Sequence, residues 1–324
     1  MMASNRCAVV IPTKNAMARL PRVIAKVLKQ QTPWPYEIIV IDSGSNDGTR
    51  EYLRTVAQVR LIEIEPHEFG HGKTRNLGVS AADADLVAFL THDAEPLNEF
   101  WLTELVDALE QDPRIAGVFG RHIAYECATP FVKMDLDRHF QGFLNYPLVV
   151  HRDLDPIRYK SDERWRQLLH FYSDNNSLMR KSVWEAIPYP DVEFAEDQLW
   201  AREIIEAGYF KAYAPDAIVC HSHDYAFLEQ LKRAYDESRN FKKYFGYKLS
   251  SRPVHAAASI VGLVNEAFRQ EVDGRFGEVT FAHRVRRAMQ RVALISGHFL
   301  GANYERLPGP ISTWLSLDTR LFRA

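Results

Sequence analysis

The sequence predicts an α/β fold with a mostly parallel central sheet, followed by a helical C-terminal extension. Three observations carry that expectation. The run Cys7, Ala8, Val9, Val10, Ile11 is too continuously apolar for a half-exposed strand and suits one buried on both faces. Stretches of helical period separate this and similar runs at the spacing of βαβ units. Beyond residue 224 the strand-like runs give way to long helical patterns. With 324 residues and 46% hydrophobic content, the chain is long and apolar enough to bury a full core.

In chain order, the first strand over 7–13 ends at Pro12-Thr13, and residues 17–30 repeat Leu20, Val23, Ile24, Val27 and Leu28 at helical spacing before Pro33 and Pro35 stop the helix. A second strand over 37–41 runs into the small polar loop 42–49, then a helix to about residue 56 and a third strand over 59–64. Strand four ends at Leu86–Leu90. A helix over 99–110 and a strand over 115–123 follow, whereas 129–171 mixes aromatics with His, Arg and Asp without clear period, as an acceptor groove, a lid or two unphased helices would. Short strands over 209–214 and 217–223 precede helices over 225–247, 253–272 and 279–299.

Charge divides the chain. Residues 225–324 carry 16 Lys/Arg against 9 Asp/Glu, a balance of +7 that leaves −9 on the first 224 residues of a chain whose net charge is −2. That asymmetry argues against nucleic acid as the main partner and fits a catalytic domain whose tail lies near an anionic surface. The last helix places Arg284, Arg286, Arg287 and Arg291 beside an apolar stripe, which suits an anionic membrane and equally packing against the first domain or a second subunit. Three cysteines without C-x-x-C spacing imply a reducing compartment and core-filling roles. No apolar run reaches about 18 residues, so the expectation is a cytoplasmic protein, peripheral at most.

The polar clusters fall where such sheets bind ligands, at the carboxyl ends of strands, with Thr13, Asp42 and Asp93 all so placed. Asp93 and Glu95, one residue apart, could hold a hard divalent cation against phosphate oxygens, or form an acidic turn before a helix. Lys73 and Arg75 put cations into the first turn of a helix, against its dipole, which asks for an anion. Asp174, Asn175 and Asn176 are three consecutive amide or acid side chains, costly to bury without partners. Glu196-Asp197 opens another helix, and His221-x-His223 points both rings to one side of an extended chain. Neither G-x-G-x-x-G nor G-x-x-x-x-G-K-[ST] is present.

Taken in order, Val9-Val-Ile-Pro-Thr-Lys-Asn15, Asp42-Ser-Gly-Ser-Asn-Asp-Gly-Thr49, Gly72-Lys-Thr-Arg-Asn76 and Leu90-Thr-His-Asp-Ala-Glu-Pro96 resemble the motifs of family 2 glycosyltransferases of the GT-A fold, most of all the bacterial rhamnosyltransferase-type branch, over about residues 7–240. The resemblance implies a donor pocket formed by Pro12, Thr13, Asn15, Asp42, Ser43 and Gly44, with Lys73, Arg75, Asn76 and His92 toward the base or diphosphate and Asn175 and Asn176 toward the donor sugar. It implies Mg2+ or Mn2+ on Asp93, assisted by Glu95 or by His223, with His221 the alternative histidine. Thr91 stands where many members carry the first aspartate of D-x-D. Asp197 matches the catalytic base, with Glu196 the alternative.

The implied reaction is inverting transfer from a nucleoside-diphosphate sugar, dTDP-rhamnose first, to a glycan or lipid-linked glycan in bacterial O-antigen or similar polysaccharide synthesis. The implied organisation is a catalytic domain over 1–224, its nucleotide-binding half to about 96 and its acceptor half over 97–224, and a helical extension over 225–324 able to serve membrane contact or a homo-oligomer. The rival functions are a nucleotide-sugar-binding assembly subunit, which Thr91 favours, and a sugar-1-phosphate nucleotidyltransferase, which would want glycines directly after the first strand.

Overall fold

In the computed structural model, which describes residues 5–317, β1 (Asn5–Thr13) is an interior strand of the sheet because residues 7–11 are apolar on both faces and fully buried. The ends 1–4 and 318–324 of the expected domains lie outside the described residues. α1 (Leu20–Val27) starts with Pro21 in its first turn and buries Leu20, Val23, Ile24 and Val27, each worth about 1.5–3 kcal/mol. β2 (Tyr36–Asp42) runs parallel to β1 with Asp42 opposite Thr13. α2 (Thr49–Arg54), β3 (Val59–Glu63), α3 (His71–Ala81) and β4 (Ala84–Leu90) complete a parallel half in the order β3-β2-β1-β4. All four carboxyl ends therefore emerge at one edge.

α3 lies close against β1. A Cβ on Gly78 would sit 2.3 Å from Val10 Cγ1 and 3.3 Å from Ile41 Cδ1. Gly78→Ala is therefore expected to cost about 1–3 kcal/mol by overpacking, seen as a lowered urea midpoint at unchanged slope.

The second half contains β5 (Glu95–Pro96), α4 (Trp101–Glu110), β6 (Ile115–Ile123), α5 (Pro130–Gly142), β7 (Val149–Val150), α6 (Pro156–Ser161), α7 (Glu163–His170), β8 (Asn176–Arg180), α8 (Lys181–Ala186), α9 (Glu196–Glu206) and β9 (Phe210–Cys220). It continues the sheet as β4-β8-β6-β9-β5, with β7 paired to β9. The sheet is mixed, because β8 enters antiparallel between β4 and β6, while β6 and β9 are parallel. Two short strands were expected where β9 is continuous: the ladder with β6 shifts register between Ala214 and Ile218, so Pro215 falls where no ladder N–H is required. The stretch without period resolves into α5, α6 and α7, the last two capped by Asp155 and Asp162.

The antiparallel strands decide what reaches the binding edge. With Leu90 opposite Asn176, the amino end of β8 meets the carboxyl end of β4, so the residues just before Asn176 arrive beside those just after Leu90. With Glu95 opposite Cys220, the end of β9 does the same for the turn at Asp93.

The chain forms two compact units, one of residues to 123 with 138–221, the other of 124–137 with residues from 222 onward. The sequence boundary at 224 lies near this division, but 124–137 belongs with the C-terminal helices. The reason is ionic: Asp135 receives a two-pronged Arg287 and a further contact from Arg291 at 3.4 Å, and Asp137 receives Arg275 at 2.9 Å. The helices are α10 (Phe227–Phe245), α11 (Pro253–Arg269), α12 (Phe281–Ala302) and α13 (Gly309–Leu315). A Cβ on Gly301 would meet the Tyr235 carbonyl at 2.3 Å, which is why α12 can press against α10.

The basic stripe, for which a membrane and packing within the protein were equally expected, is mostly engaged within the second unit. Arg287 and Arg291 hold Asp135, Arg286 holds Asp224 at 3.1 Å, and Arg284 donates to the Ala267 and Gln270 carbonyls. Among the described residues no helix is long and apolar enough to cross a membrane. Cys7 is buried as expected of core filler, whereas Cys127 is exposed.

Candidate active site

The loops after β1 and β2 are tied into one wall. The Thr13 carbonyl accepts from Ser43 N at 3.0 Å, Asn15 N donates to Ser45 Oγ at 2.7 Å, Asn15 Oδ1 accepts from Asn46 N at 2.9 Å, and Ala16 N donates to Thr49 Oγ1 at 2.9 Å. Asp42 anchors this wall, its Oδ1 accepting from Gly44 N at 3.0 Å and Ser45 N at 2.8 Å. Asp42 and Ser43, expected to touch a donor, are 0% and 1% exposed and spent on the loop, so what they supply is its shape. Gly44 takes φ +83°, and a Cβ there would meet Pro66 Cγ at 2.7 Å. Pro12 is half-buried and Asn15 exposed.

Arg75 and Asn76 also depart from expectation. The anion that Arg75 needs is the protein's own: Nη1 donates to Glu196 Oε1 at 2.7 Å and Nε lies 3.1 Å from Asp174 Oδ2, with the guanidinium buried. Asn76 is consumed in clamping, donating to the Tyr189 carbonyl at 2.9 Å and accepting from Trp184 Nε1 at 2.7 Å. Lys73 stays exposed and pairs with Asp191 at 3.2 Å. The close approach at Gly72 is to the Pro190 carbonyl, 2.3 Å from where a Cβ would sit.

Asp174, which the sequence marked only as one of three polar neighbours, is the hub of a buried charge cluster. Its Oδ1 accepts from Ser177 Oγ at 2.8 Å and Tyr189 Oη at 2.9 Å, and its backbone N lies 3.4 Å from Asp197 Oδ2. Ala195 adopts a left-handed backbone, φ +60° and ψ 31°, to start α9, an uncommon conformation for a residue with a side chain. Consecutive helical residues point about 100° apart. Glu196 therefore faces Arg75 in the interior while Asp197 is partly buried.

Three carboxylates share one guanidinium. Burial pushes Asp174 up to about 6, against the pull of Arg75 and with Glu196 adding to the rise. Burial first, then the charges of Glu196 and Asp174, raise Asp197 well above the usual carboxylate range. A carboxylate with raised proton affinity and an open side is what a general base requires.

Asn176 is a lock. Its amide is 0% exposed, accepting from Trp101 Nε1 at 2.7 Å and donating to the Ala217 and Arg121 carbonyls, which removes it from any donor contact. Asn175 beside it is half-buried.

After β4 the chain turns at Thr91, and Asp93 comes to face His221, Oδ1 to Nε2 at 3.6 Å. Both side chains are mostly buried, at 16% and 11% exposure. Behind His221 lies His122, its ring 5.3 Å away, held neutral by burial and secondarily by His221 itself. Thr13 Oγ1, at the end of β1, and Thr91 Oγ1, just past the end of the neighbouring β4, are buried and have no hydrogen-bond partner among the described residues. A carboxylate beside an imidazole, with two unsatisfied hydroxyls on the adjoining strand ends, fits a small divalent ion carrying oxygen ligands.

Glu95 does not join Asp93. It is 1% exposed, with Oε2 3.1 Å from Arg22 and 4.0 Å from Lys26, an ion pair that fastens β5 to α1. His92 is half-buried in the turn. His223 belongs to the second unit, where its exposed ring stacks on Tyr225 at 5.1 Å.

Strand-end loops that converge on a carboxylate–histidine pair define a site of the nucleotide-binding α/β class. The chain belongs to glycosyl transferase family 2, whose model matches residues 8–187, and it is a glycosyltransferase. It is 35% identical over 235 residues to O-antigen chain rhamnosyltransferase RfbN of Salmonella typhimurium, covering 71% of each chain. It is 34% identical over 231 residues to O-antigen chain rhamnosyltransferase WbaN of Salmonella anatum, covering 70% of this chain and 69% of that one. Among solved structures, the mannosyltransferase PcManGT of Pyrobaculum calidifontis, in complex with GDP-Man and Mn2+, aligns over 94% of this chain and 89% of its own, with a TM-score of 0.58 at 17% identity. That likeness establishes the GT-A fold.

Proposed function

We propose that the chain transfers rhamnose from dTDP-rhamnose to a hydroxyl of a glycan or lipid-linked glycan during synthesis of an O-antigen-type surface polysaccharide, at the cytoplasmic face of the inner membrane. The observation that carries this reading is the pairing of Asp93 with His221 at one strand end and the partly buried, proton-avid Asp197 within the same unit. The choice of rhamnose rests on the similarity to RfbN and WbaN.

The donor would lie along the wall built on Asp42, with Thr13 and Thr91 offering their free hydroxyls and Lys73 a cation at its rim. Asp93 and His221, with His223 two residues further along the chain as a third ligand, would hold Mg2+ or Mn2+. Such an ion, when bound, offsets charge gathering on the departing diphosphate. Asp197 takes the proton of the acceptor hydroxyl as its oxygen bonds to the anomeric carbon. The bond from that carbon to the diphosphate breaks, dTDP leaves with the electron pair, and the anomeric configuration inverts. Arg75 and Asp174 act one step removed, fixing Asp197 and setting its proton affinity.

The test is product formation with a membrane glycolipid fraction as acceptor, Mn2+ present, and dTDP-rhamnose compared with UDP-glucose, UDP-galactose and GDP-mannose. Acceptor-dependent release of nucleoside diphosphate from dTDP-rhamnose above the other donors is the expected result. Release from another donor alone would overturn the sugar assignment, and release from none would overturn the proposal.

A further inference from the structure

His122 is a buried histidine that sugar transfer, as proposed, leaves unused. It lies near the end of β6, opposite Val219 of β9, and the carbonyl of the next residue, Ile123, accepts from His221 N at 2.9 Å. The two strand ends therefore carry His122 and His221 side by side within the first unit. The His122 ring is stacked on Phe140, with 4.6 Å between centroids and 28° between planes, and the residue is 4% exposed. Phe140 is itself buried, so packing accounts for that face of the ring.

Packing does not account for the nitrogen. Nε2 of His122 is buried without a hydrogen-bond partner among the described residues. Such an atom costs free energy that a phenyl ring in the same place would not, so its presence calls for a reason. The neighbour that supplies one is His221, whose ring centroid lies 5.3 Å away at an interplanar angle of 88°. That is close to the spacing of two imidazoles joined by an N–H···N hydrogen bond of about 3.0 Å. A ring turn about the Cβ–Cγ bond, without movement of either strand, brings the two nitrogens together.

His221 turns Nε2 toward Asp93, 3.6 Å from Oδ1. An imidazole that gives one nitrogen to a cation carries its hydrogen on the other, and that N–H needs an acceptor to fix the ring. We propose that His122 is a positioning residue for His221: its Nε2 accepts the Nδ1–H of His221 and so holds that ring with its own Nε2 aimed at the divalent ion. His122 then keeps its hydrogen on Nδ1, as a neutral imidazole with an accepting Nε2 must. This role rests on the reading of Asp93 and His221 as ion ligands, and it acts on ion affinity, so its test is independent of turnover.

The test is Mn2+ titration of the full chain, followed by the electron paramagnetic resonance signal of the free ion, for wild type, His122→Phe, His122→Gln and His221→Ala. His122→Phe keeps a ring on Phe140 and removes the nitrogen, whereas His122→Gln restores an acceptor oxygen near the place of Nε2. His122→Phe is expected to bind Mn2+ about 10–100-fold more weakly than wild type, and His122→Gln to recover part of that loss. Without metal, His122→Phe should melt at the wild-type temperature or above, because it buries no orphaned nitrogen. Three outcomes overturn the role of His122 and leave the ion ligands standing: equal Mn2+ affinity in wild type and His122→Phe, a loss that His122→Gln does not relieve, or a lowered melting temperature in His122→Phe, which would make the ring a packing element. No Mn2+ binding by wild type, or binding unchanged in His221→Ala, would overturn the ion ligands and this inference with them.

Discussion

Asp197→Asn is expected to slow sugar transfer by about 10²–10⁴-fold while leaving donor affinity nearly unchanged. The substitution keeps the size and the hydrogen bond from Gln198 N but removes the proton acceptor. Glu196→Gln should behave differently, because Glu196 is buried against Arg75 and its loss falls on stability. The pH profile carries the same logic. A carboxylate whose proton affinity is raised by burial and by Glu196 and Asp174 becomes a base only as pH rises past its elevated value. The acid limb of kcat/KM should therefore lie well above the ordinary carboxylate range. Asp174→Asn removes one neighbouring negative charge and should move that limb to lower pH. A limb unmoved by Asp174→Asn would separate the charge cluster from catalysis.

Arg75→Met is expected to destabilise the protein by about 3–5 kcal/mol, the cost of leaving buried carboxylates without their cation. Arg75 bridges Asp174 and Glu196, both nearly inaccessible, so neither can recruit water without opening the site. The penalty should shrink as pH falls, because the two unpaired groups then bind protons and the buried charge disappears. Arg75→Met combined with Asp174→Asn and Glu196→Gln should recover part of the loss. Urea denaturation at neutral and mildly acidic pH checks both expectations. A variant with wild-type stability would mean that the cluster relaxes easily.

Where the fold was legible in the sequence, the physics was local. β1, β2 and β4 are buried on both faces and so write themselves as apolar runs, and Leu20, Val23, Ile24 and Val27 spell out α1 by period alone. α5 to α7 stayed illegible because two are under nine residues long and the segment's apolar groups are rings packed in irregular clusters, as with His139, Phe140, Phe143 and Phe171. The mixed sheet could not be read either, since direction is decided by pairings such as Leu90 with Asn176 across half the chain. The site shows the same division. Asp93 was marked out by its place at a strand end, whereas Asp197 was singled out by the family resemblance alone, because acids are common in any first helical turn. Arg75 misled because a cation in a first helical turn calls for an anion without saying which, and Glu196 lies 121 residues away. Asp174 was hidden between serine and two asparagines, and only the buried tyrosine and serine that donate to it distinguish it from its neighbours. Of the two histidines in H-x-H, either of which could assist Asp93, His223 was only slightly preferred, and the one that faces Asp93 within the first unit is His221.

The most direct measurement is calorimetric titration of dTDP-rhamnose, with and without Mn2+, into wild type and Asp93→Ala. The central claim is that Asp93 and its neighbours hold the ion through which the donor is bound. The expected result is binding by wild type that strengthens at least about ten-fold with Mn2+, and an Asp93→Ala variant, folded by circular dichroism, in which Mn2+ makes no difference. Binding of equal strength with or without Mn2+, or a Mn2+ response that survives Asp93→Ala, would contradict the account.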